Sequence, residues 1–319
     1  MNHHHSFANL TRAGLLSLFV AFASPAPLAA APPADALAET LKKVDPKSRV
    51  KLNDGGEIIE INVADSSAFD DEMYRQIGQV TTLQKLNLGS TKVSDEQFQM
   101  LAPLTKLPKL ELNGGALTDA AFASLTGMRE LKALICWHQG WQREPTITGS
   151  GLAPLASLPH LTDLVIAGSR VTDAAVDAIV QMKSLESLEI FHCWKLSDVA
   201  LLRLRELPKL RHLSIGSVRS EPKGSEGVHV NDALVQMLSA MPTLESLSLS
   251  EGIVSYEASL KALKNLPALK KLELSEVELP PGDLEKLQAD LPGTVIKHTP
   301  PKDSLATRFK ELREARSAK

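Results

Sequence analysis

The chain has 319 residues, a formal net charge of −3 and 23% charged residues, values that are ordinary for a globular protein. No excess of positive charge predicts binding to nucleic acid or to an anionic membrane surface. Aromatic residues make up only 4% of the chain, so a local cluster of rings is informative.

The first 30 residues have the three-part pattern of a secretory signal peptide. Residues 1–14 carry Arg12 and no acid, residues 15–23 read LLSLFVAFA, and SPAPLAA follows. The apolar run is far shorter than the roughly 20 residues that span a membrane. We therefore expect export to the periplasm or the medium, after cleavage at Ala30 or Ala23 and without a membrane span. The alternative is a disordered apolar N-terminus.

Residues 31–57 predict an N-terminal cap. Leu37, Leu41 and Val44 lie at helical spacing, which predicts a helix over residues 34–44. Residues 50–63 then predict a hairpin with its turn at Asp54-Gly55, leading into the first repeat strand.

Residues 58–291 repeat one unit nine times, and this repeat is the main feature of the sequence. Each unit holds a Leu-x-x-Leu-x-Leu strand, a short turn and an amphipathic helix. The spacings are 25, 24, 24, 30, 24, 25, 34 and 25 residues. A fixed period in the twenties predicts a solenoid, whose units bury their apolar faces by stacking. The anchoring residues are Ile58, Leu83, Leu107, Leu131, Leu161, Leu185, Leu210, Leu244 and Leu269.

One unit shows how the pattern is interpreted. Alternation along the strand places Leu86 and Leu88 in the core and their neighbours outside. Ser94 begins a helix, with Gln97 as its capping-box partner. An aspartate recurs near the start of each helix, which indicates helix starts rather than acid–base catalysis.

These units resemble the leucine-rich repeat family, in a short bacterial class of roughly 24 residues. The likeness covers about three-quarters of the chain. The unit at 185–201 (LESLEIFHCWKLSDVAL) instead resembles the cysteine-containing class, with Cys193 at the cysteine position. The resemblance implies an α/β solenoid of horseshoe shape, with a parallel sheet on the concave face and helices on the convex face.

Residues 292–319 predict a C-terminal cap and a basic tail. Leu287, Leu291, Val295 and Ile296 are expected to close the core. From Lys297 onward the sequence has seven Lys or Arg and three Asp or Glu, which indicates a solvated tail or short helix. A docking arm for an acidic surface is the alternative.

Only two cysteines occur, Cys136 and Cys193, and they lie two repeats apart. Two strand spacings amount to roughly 10 Å. Because a disulfide needs Cα atoms within about 7 Å, two buried free thiols are expected.

The concave face is predicted to be polar except in its middle repeats. There Ile135 and Val165 form one apolar ladder, and Trp137, Ala167 and Phe191 form another. The two irregular spacings mark insertions at 138–146 and 218–228 beside this region. The first insertion either covers the ladders or leaves them open as a binding surface.

The open interpretation predicts a surface for a protein or peptide on the concave face of repeats three to six and on both insertions. A carbohydrate or other envelope polymer, and a purely structural envelope spacer, are the alternatives. The predicted binding residues are Ile135, Trp137, His138, Trp141, Arg143, Val165, Phe191, His192, Trp194 and His212.

Catalytic and metal chemistry are not expected. His138 and His192 are separated by roughly 10 Å, too far to share a zinc ion. Cys193 is expected to fill the core, and the sequence has no phosphate-binding glycine loop or nucleophile motif. We therefore predict a non-enzymatic protein without cofactor, metal or nucleic-acid partner.

Overall fold

The computed structural model describes residues 32–89, 93–113, 117–137, 147–167, 171–193, 195–216 and 230–303, with 305–307, 309–310 and 314. Among these residues, no helix has the length and apolar character needed to cross a membrane. The predicted signal peptide and both insertions lie outside the described residues.

A helix and a hairpin precede the repeats. Helix α1 (Ala34–Val44) buries Leu37 and Leu41 against the core, whereas Val44 is 37% exposed. Strands β1 (Arg49–Leu52) and β2 (Ile58–Val63) pair antiparallel. Gly56 has a φ of 79° in the turn between them, a conformation that glycine adopts without strain. The hairpin thus adds an antiparallel strand to the first repeat strand.

The repeats form one sheet whose eleven described strands lie in chain order. Every pair from β2 to β11 is parallel. The remaining strands are β3 (Lys85–Leu88), β4 (Lys109–Asn113), β5 (Ala133–Trp137), β6 (Asp163–Ala167), β7 (Ser187–Phe191), β8 (His212–Gly216), β9 (Ser246–Ser250), β10 (Lys271–Ser275) and β11 (Val295–Thr299).

The strand leucines stack in register to make a continuous core. Leu86 pairs with Leu110, which pairs with Leu134, and the same column continues through Leu164 and Leu188. All five side chains are buried. The alternation predicted from the sequence is therefore the alternation of the sheet, with one side in the core and the other on the concave face.

Some connections are α-helices and others are 3-10 helices, a distinction that the predicted amphipathic helix of each unit did not make. Leu152, Leu155 and Leu158 recur every three residues, the period of a 3-10 helix, and Pro154 lies among them. The α-helices are α2 (Asp71–Gly78), α3 (Asp95–Gln99), α4 (Asp173–Ile179), α5 (Asp198–Leu201), α6 (Asp232–Leu238) and α7 (Asp283–Asp290). The 3-10 helices are Asp119–Gly127, Ser150–Ser157, Leu202–Glu206 and Leu260–Asn265.

The recurring aspartates join successive repeats as well as marking helix starts. Ser94 caps α3 with the predicted capping box, and Asp95 follows as the first helical residue. The carboxylate of Asp95 accepts a hydrogen bond of 2.9 Å from the backbone N–H of Thr118 in the next repeat. Asp173 likewise accepts bonds of 2.7 Å from both the backbone N–H and the hydroxyl of Ser197. These aspartates therefore hold successive repeats together through hydrogen bonds.

The C-terminal end differs from expectation at two places. Leu287 and Leu291 are buried, but Val295 is 61% exposed because it lies on the outer side of β11. Beyond β11, Leu305 and Phe309 are 6% and 0% exposed and pack with Ile253. The described residues here are helical, as one of the two expectations had it, and this part of the tail is packed against the protein rather than solvated.

Candidate functional site

The strand register arranges the outward side chains of the concave face in three rows that run across the sheet. The first row is Glu60, Lys85, Lys109, Ala133, Asp163, Ser187, His212, Ser246, Lys271 and Val295. The second is Asn62, Asn87, Glu111, Ile135, Val165, Glu189, Ser214, Ser248, Glu273 and Lys297. The third includes Asn113, Trp137, Ala167, Phe191, Gly216, Ser250, Ser275 and Thr299.

On β2 to β4 this face carries a lysine–glutamate network made of Glu60, Lys85, Lys109 and Glu111. The Lys109 ammonium lies 2.8 Å from a carboxylate oxygen of Glu111. The Lys85 ammonium lies 3.5 Å from both Glu111 and Glu60. Each charge in the network therefore has an opposite charge within reach, so the charges on this part of the face are paired with one another.

On β5 to β7 the outward side chains form the aromatic patch: Ile135, Trp137, Val165, Ala167 and Phe191. Ile135 pairs with Val165 in the second row, and Ala167 pairs with Phe191 in the third. The Trp137 and Phe191 rings are stacked, with centroids 5.8 Å apart and planes inclined by 13°. Both predicted ladders are therefore formed.

The middle strand of the patch departs from the alternation of exposure. Val165 is 8% exposed and Ala167 is 0% exposed, although both lie on the outward side of β6. Ala167 lies between the strands that carry Trp137 and Phe191, and its small side chain leaves room for the two rings to meet. Ile135, Trp137 and Phe191 are half-buried. The accessible patch consequently consists of these three side chains, and Val165 adds little surface.

The two described histidines of the predicted site lie at different ends of the strands. His192 follows β7, next to Phe191, is half-buried and has a φ of 56°. His212 is exposed at the start of β8, in the first row and away from the stacked rings. His138, Trp141, Arg143 and Trp194 lie outside the described residues.

Two carboxylates beside the patch form an acidic pair, Asp163 and Glu189, that the sequence-based prediction did not include. Glu189 pairs in register with Val165, and Asp163 lies diagonally from it on β6. Burial of the Glu189 side chain, together with the negative charge of Asp163, raises the pKa of Glu189. Among the described residues no Lys or Arg forms an ion pair with Glu189. Aligning the rows by register would have found this pair, because it places Asp163 and Glu189 diagonally on adjacent strands with no Lys or Arg at a neighbouring register position.

Small polar residues follow the acidic pair. Ser214 and Gly216 on β8 lie beside Ser248 and Ser250 on β9. A Cβ atom on Gly216 would lie 2.5 Å from the Cβ of Ser250, so a larger residue does not fit without a shift. The outward side chains are consequently smaller here than the stacked rings of Trp137 and Phe191.

The two cysteines are free and buried, as the sequence predicted. Burial raises the pKa of the Cys136 thiol to about 12, so it stays protonated at neutral pH. The Cys193 thiol donates a weak hydrogen bond to the carbonyl oxygen of Phe191, at 3.2 Å, and so braces the end of β7. In the part of the chain that is described, no three His, Cys, Asp or Glu side chains are grouped to hold a metal ion.

Comparison with known proteins yields no match to a protein-family model or to a curated protein. Among solved structures, internalin C2 from Listeria monocytogenes is similar at 16% identity over 84% of this chain and 96% of that chain, with a TM-score of 0.42. A Bacteroides fragilis protein is also 16% identical, over 70% of this chain and 67% of that chain, with a TM-score of 0.48.

The plant peptide hormone receptor RGFR1, solved in complex with RGF2, is 14% identical over 79% of this chain and 37% of that chain, with a TM-score of 0.41. A period near 24 residues, stacked strand leucines and a parallel sheet backed by helices define the fold. The chain is a leucine-rich repeat solenoid.

Proposed function

We propose that this protein is an exported, non-enzymatic binding or scaffold protein that recognises a protein or peptide. The contact surface is the concave face of repeats three to six, which corresponds to β4–β7, together with the two insertions. The observation that carries the proposal is the half-buried stack of Trp137 and Phe191 on the solvent side of the sheet. Aromatic side chains in such positions dominate the energetics of many interfaces.

The stack favours a protein or peptide over a carbohydrate or envelope polymer. Sugar rings bind on open aromatic faces, whereas here the two rings turn one face toward each other in an offset stack with centroids 5.8 Å apart. A partner side chain can instead pack against the ring edges and Ile135. A glycan array tests the carbohydrate alternative: specific hits that disappear in Trp137→Ala would support it.

Export is supported by the three-part pattern of residues 1–30. Fractionation of cells that express the natural chain, with N-terminal sequencing of the exported form, tests this part of the proposal. A mature N-terminus after Ala30 or Ala23 is expected. A full-length protein retained in the cytoplasm would contradict export.

The experiment for binding compares Trp137→Ala with wild type in affinity capture from the exported protein fraction. Loss of a hot-spot ring weakens binding by over about 1 kcal/mol, roughly fivefold or more. A partner that wild type retains and Trp137→Ala loses is then purified, and its dissociation constants for both proteins are measured.

Val199→Ser is the matched control, because Val199 is 73% exposed and lies on α5, away from the sheet face. This variant removes exposed apolar surface elsewhere and should bind like wild type. Partners that respond equally to both variants, or partner binding unchanged in a folded Trp137→Ala protein, would favour the structural-spacer alternative.

A further inference from the structure

The acidic pair lies beside the aromatic patch, and no Lys or Arg in the described ranges forms an ion pair with it. Glu189 has Val165 and Ser214 as its register neighbours and Ser187 and Phe191 along its own strand. Its diagonal neighbours include Asp163 and His212, and His212 forms no ion pair with it. Burial and, to a lesser degree, the negative charge of Asp163 disfavour the charged form of Glu189 and raise its pKa.

The same face shows that this arrangement is not a general property of the sheet. Glu111 lies in the same row three strands earlier and has two lysine ammonium groups at 2.8 and 3.5 Å. Lys85 and Lys109 are thus engaged in the lysine–glutamate network. Glu189 has no comparable partner among the described residues.

We propose, on the basis of the function proposed above, that the acidic pair and the aromatic patch together receive an arginine side chain from an extended segment of the partner protein. The guanidinium group lies between Asp163 and Glu189, and the apolar stem lies along Ile135 and the edge of the Phe191 ring.

Three features of the geometry fit this occupant. Asp163 and Glu189 are diagonal neighbours on adjacent strands, so their Cα atoms lie roughly 8 Å apart, a span that a guanidinium fork can bridge. Arginine packs its stem on apolar surface and its planar head beside rings more readily than lysine. The outward side chains that follow the acidic pair, Ser214, Gly216 and Ser248, are small, and the backbone of the segment lies over them.

The test is selection of a phage-displayed library of random 12-residue peptides on the full protein, followed by dissociation constants for synthetic copies of the selected peptides. Peptides that bind wild type and lose affinity for Trp137→Ala are kept. We expect these peptides to share an arginine, and its replacement by glutamine to weaken binding by about tenfold or more. Replacement by lysine should have a smaller effect.

The protein variant Glu189→Gln should bind the arginine-containing peptides more weakly by a similar factor. Its affinity for the peptides in which glutamine replaces the arginine should equal that of wild type. Glu273→Gln is the matched control: Glu273 lies in the same row on β10 and is exposed, and the substitution changes the same charge. Glu273→Gln should bind like wild type. Unfolding midpoints of all variants confirm that the proteins remain folded.

The outcomes separate the two proposals. Trp137-dependent peptides without a shared basic residue, or with affinity that Glu189→Gln does not change, would overturn the arginine assignment and support the binding surface. A library that yields no Trp137-dependent peptide would overturn both. A shared lysine that binds as tightly as arginine would overturn the preference for a guanidinium group.

Discussion

The concave face on β2–β4 and the concave face on β5–β7 rest on the same leucine column but differ in how their outward side chains are paired. On β2–β4 the lysine–glutamate network neutralises its own charges. On β5–β7 the aromatic patch and the acidic pair are left half-buried, with a raised pKa at Glu189. The comparison shows that the repeat determines the scaffold. The outward residues determine where a partner can bury apolar surface and pair charges that the described residues leave unpaired.

The largest expected effect tests whether the scaffold is the same in both regions. Leu110 and Leu188 are both 0% exposed in the same core column, one under each region. We expect Leu110→Ala and Leu188→Ala each to lower the free energy of unfolding by about 2–5 kcal/mol. Urea denaturation followed by circular dichroism measures both. If only Leu110→Ala lowered the free energy of unfolding, the core beneath the aromatic patch would be loosely packed. That result would contradict a common scaffold under both regions.

The next largest expected loss of stability comes from Asp119, whose carboxylate links the two regions. Burial alone would raise the pKa of Asp119, but hydrogen bonds from Thr148, Gly149 and Ser150 lower it below its ordinary value. Asp119 follows β4 and these three residues follow β5, so the carboxylate joins the two regions. We expect Asp119→Ala to cost roughly 1–2 kcal/mol at neutral pH, less than buried hydrogen bonds to charged groups because these bonds are exposed to solvent.

The pH dependence of this joint follows from the lowered pKa. Stability from Asp119 is present above its unfolded pKa and is lost as pH falls through the lower folded value. The difference between wild type and Asp119→Ala should therefore shrink below about pH 4. Unfolding curves at pH 7 and pH 3 measure it, and a difference that grows in acid would contradict the assignment.

The smallest expected changes in stability are those of Glu111→Gln and Glu189→Gln, and they should have opposite signs. Glu111→Gln leaves two lysines without their shared carboxylate and should cost about 1 kcal/mol or less, as partly exposed ion pairs do. Glu189→Gln should be neutral or slightly stabilising at pH 7. A raised folded pKa means that stability is present below the unfolded pKa and is lost as pH rises through the folded value, and glutamine removes that loss.

Thermal unfolding of both variants at pH 7 and pH 4 checks the opposite signs. The Glu189→Gln advantage should be larger at pH 7 than at pH 4. A clear loss of stability in Glu189→Gln at pH 7 would show that Glu189 is a structural group and would weaken the case for a ligand cation.

The repeat, the sheet register and both ladders could be predicted from the sequence because each depends on local periodicity. The capping box at Ser94 and Gln97 is equally local, since its partners lie three residues apart. The choice between α-helix and 3-10 helix could not be predicted from apolar spacing, because Val176, Ile179 and Met182 in the α4 unit have the same spacing as Leu152, Leu155 and Leu158.

Other features depend on residues far apart in the sequence and could not be predicted. The burial of Val165 and Ala167 is a property of the neighbouring strands β5 and β7, not of β6 itself. The packing of Phe309 near Ile253 depends on where the chain turns after β11. The acidic pair could have been found, because the register that placed Trp137 beside Phe191 also places Asp163 near Glu189.

The central claim, that the aromatic patch is an accessible surface, is tested most directly by the fluorescence of Trp137 alone. Trp141→Phe and Trp194→Phe combined leave Trp137 as the single tryptophan, since the chain has three. Acrylamide, a neutral quencher, should quench this emission measurably, and Phe191→Ala should increase the quenching by removing the stacked ring. An indole that acrylamide does not reach in the folded protein would show that the patch is covered and would contradict its assignment as a binding surface.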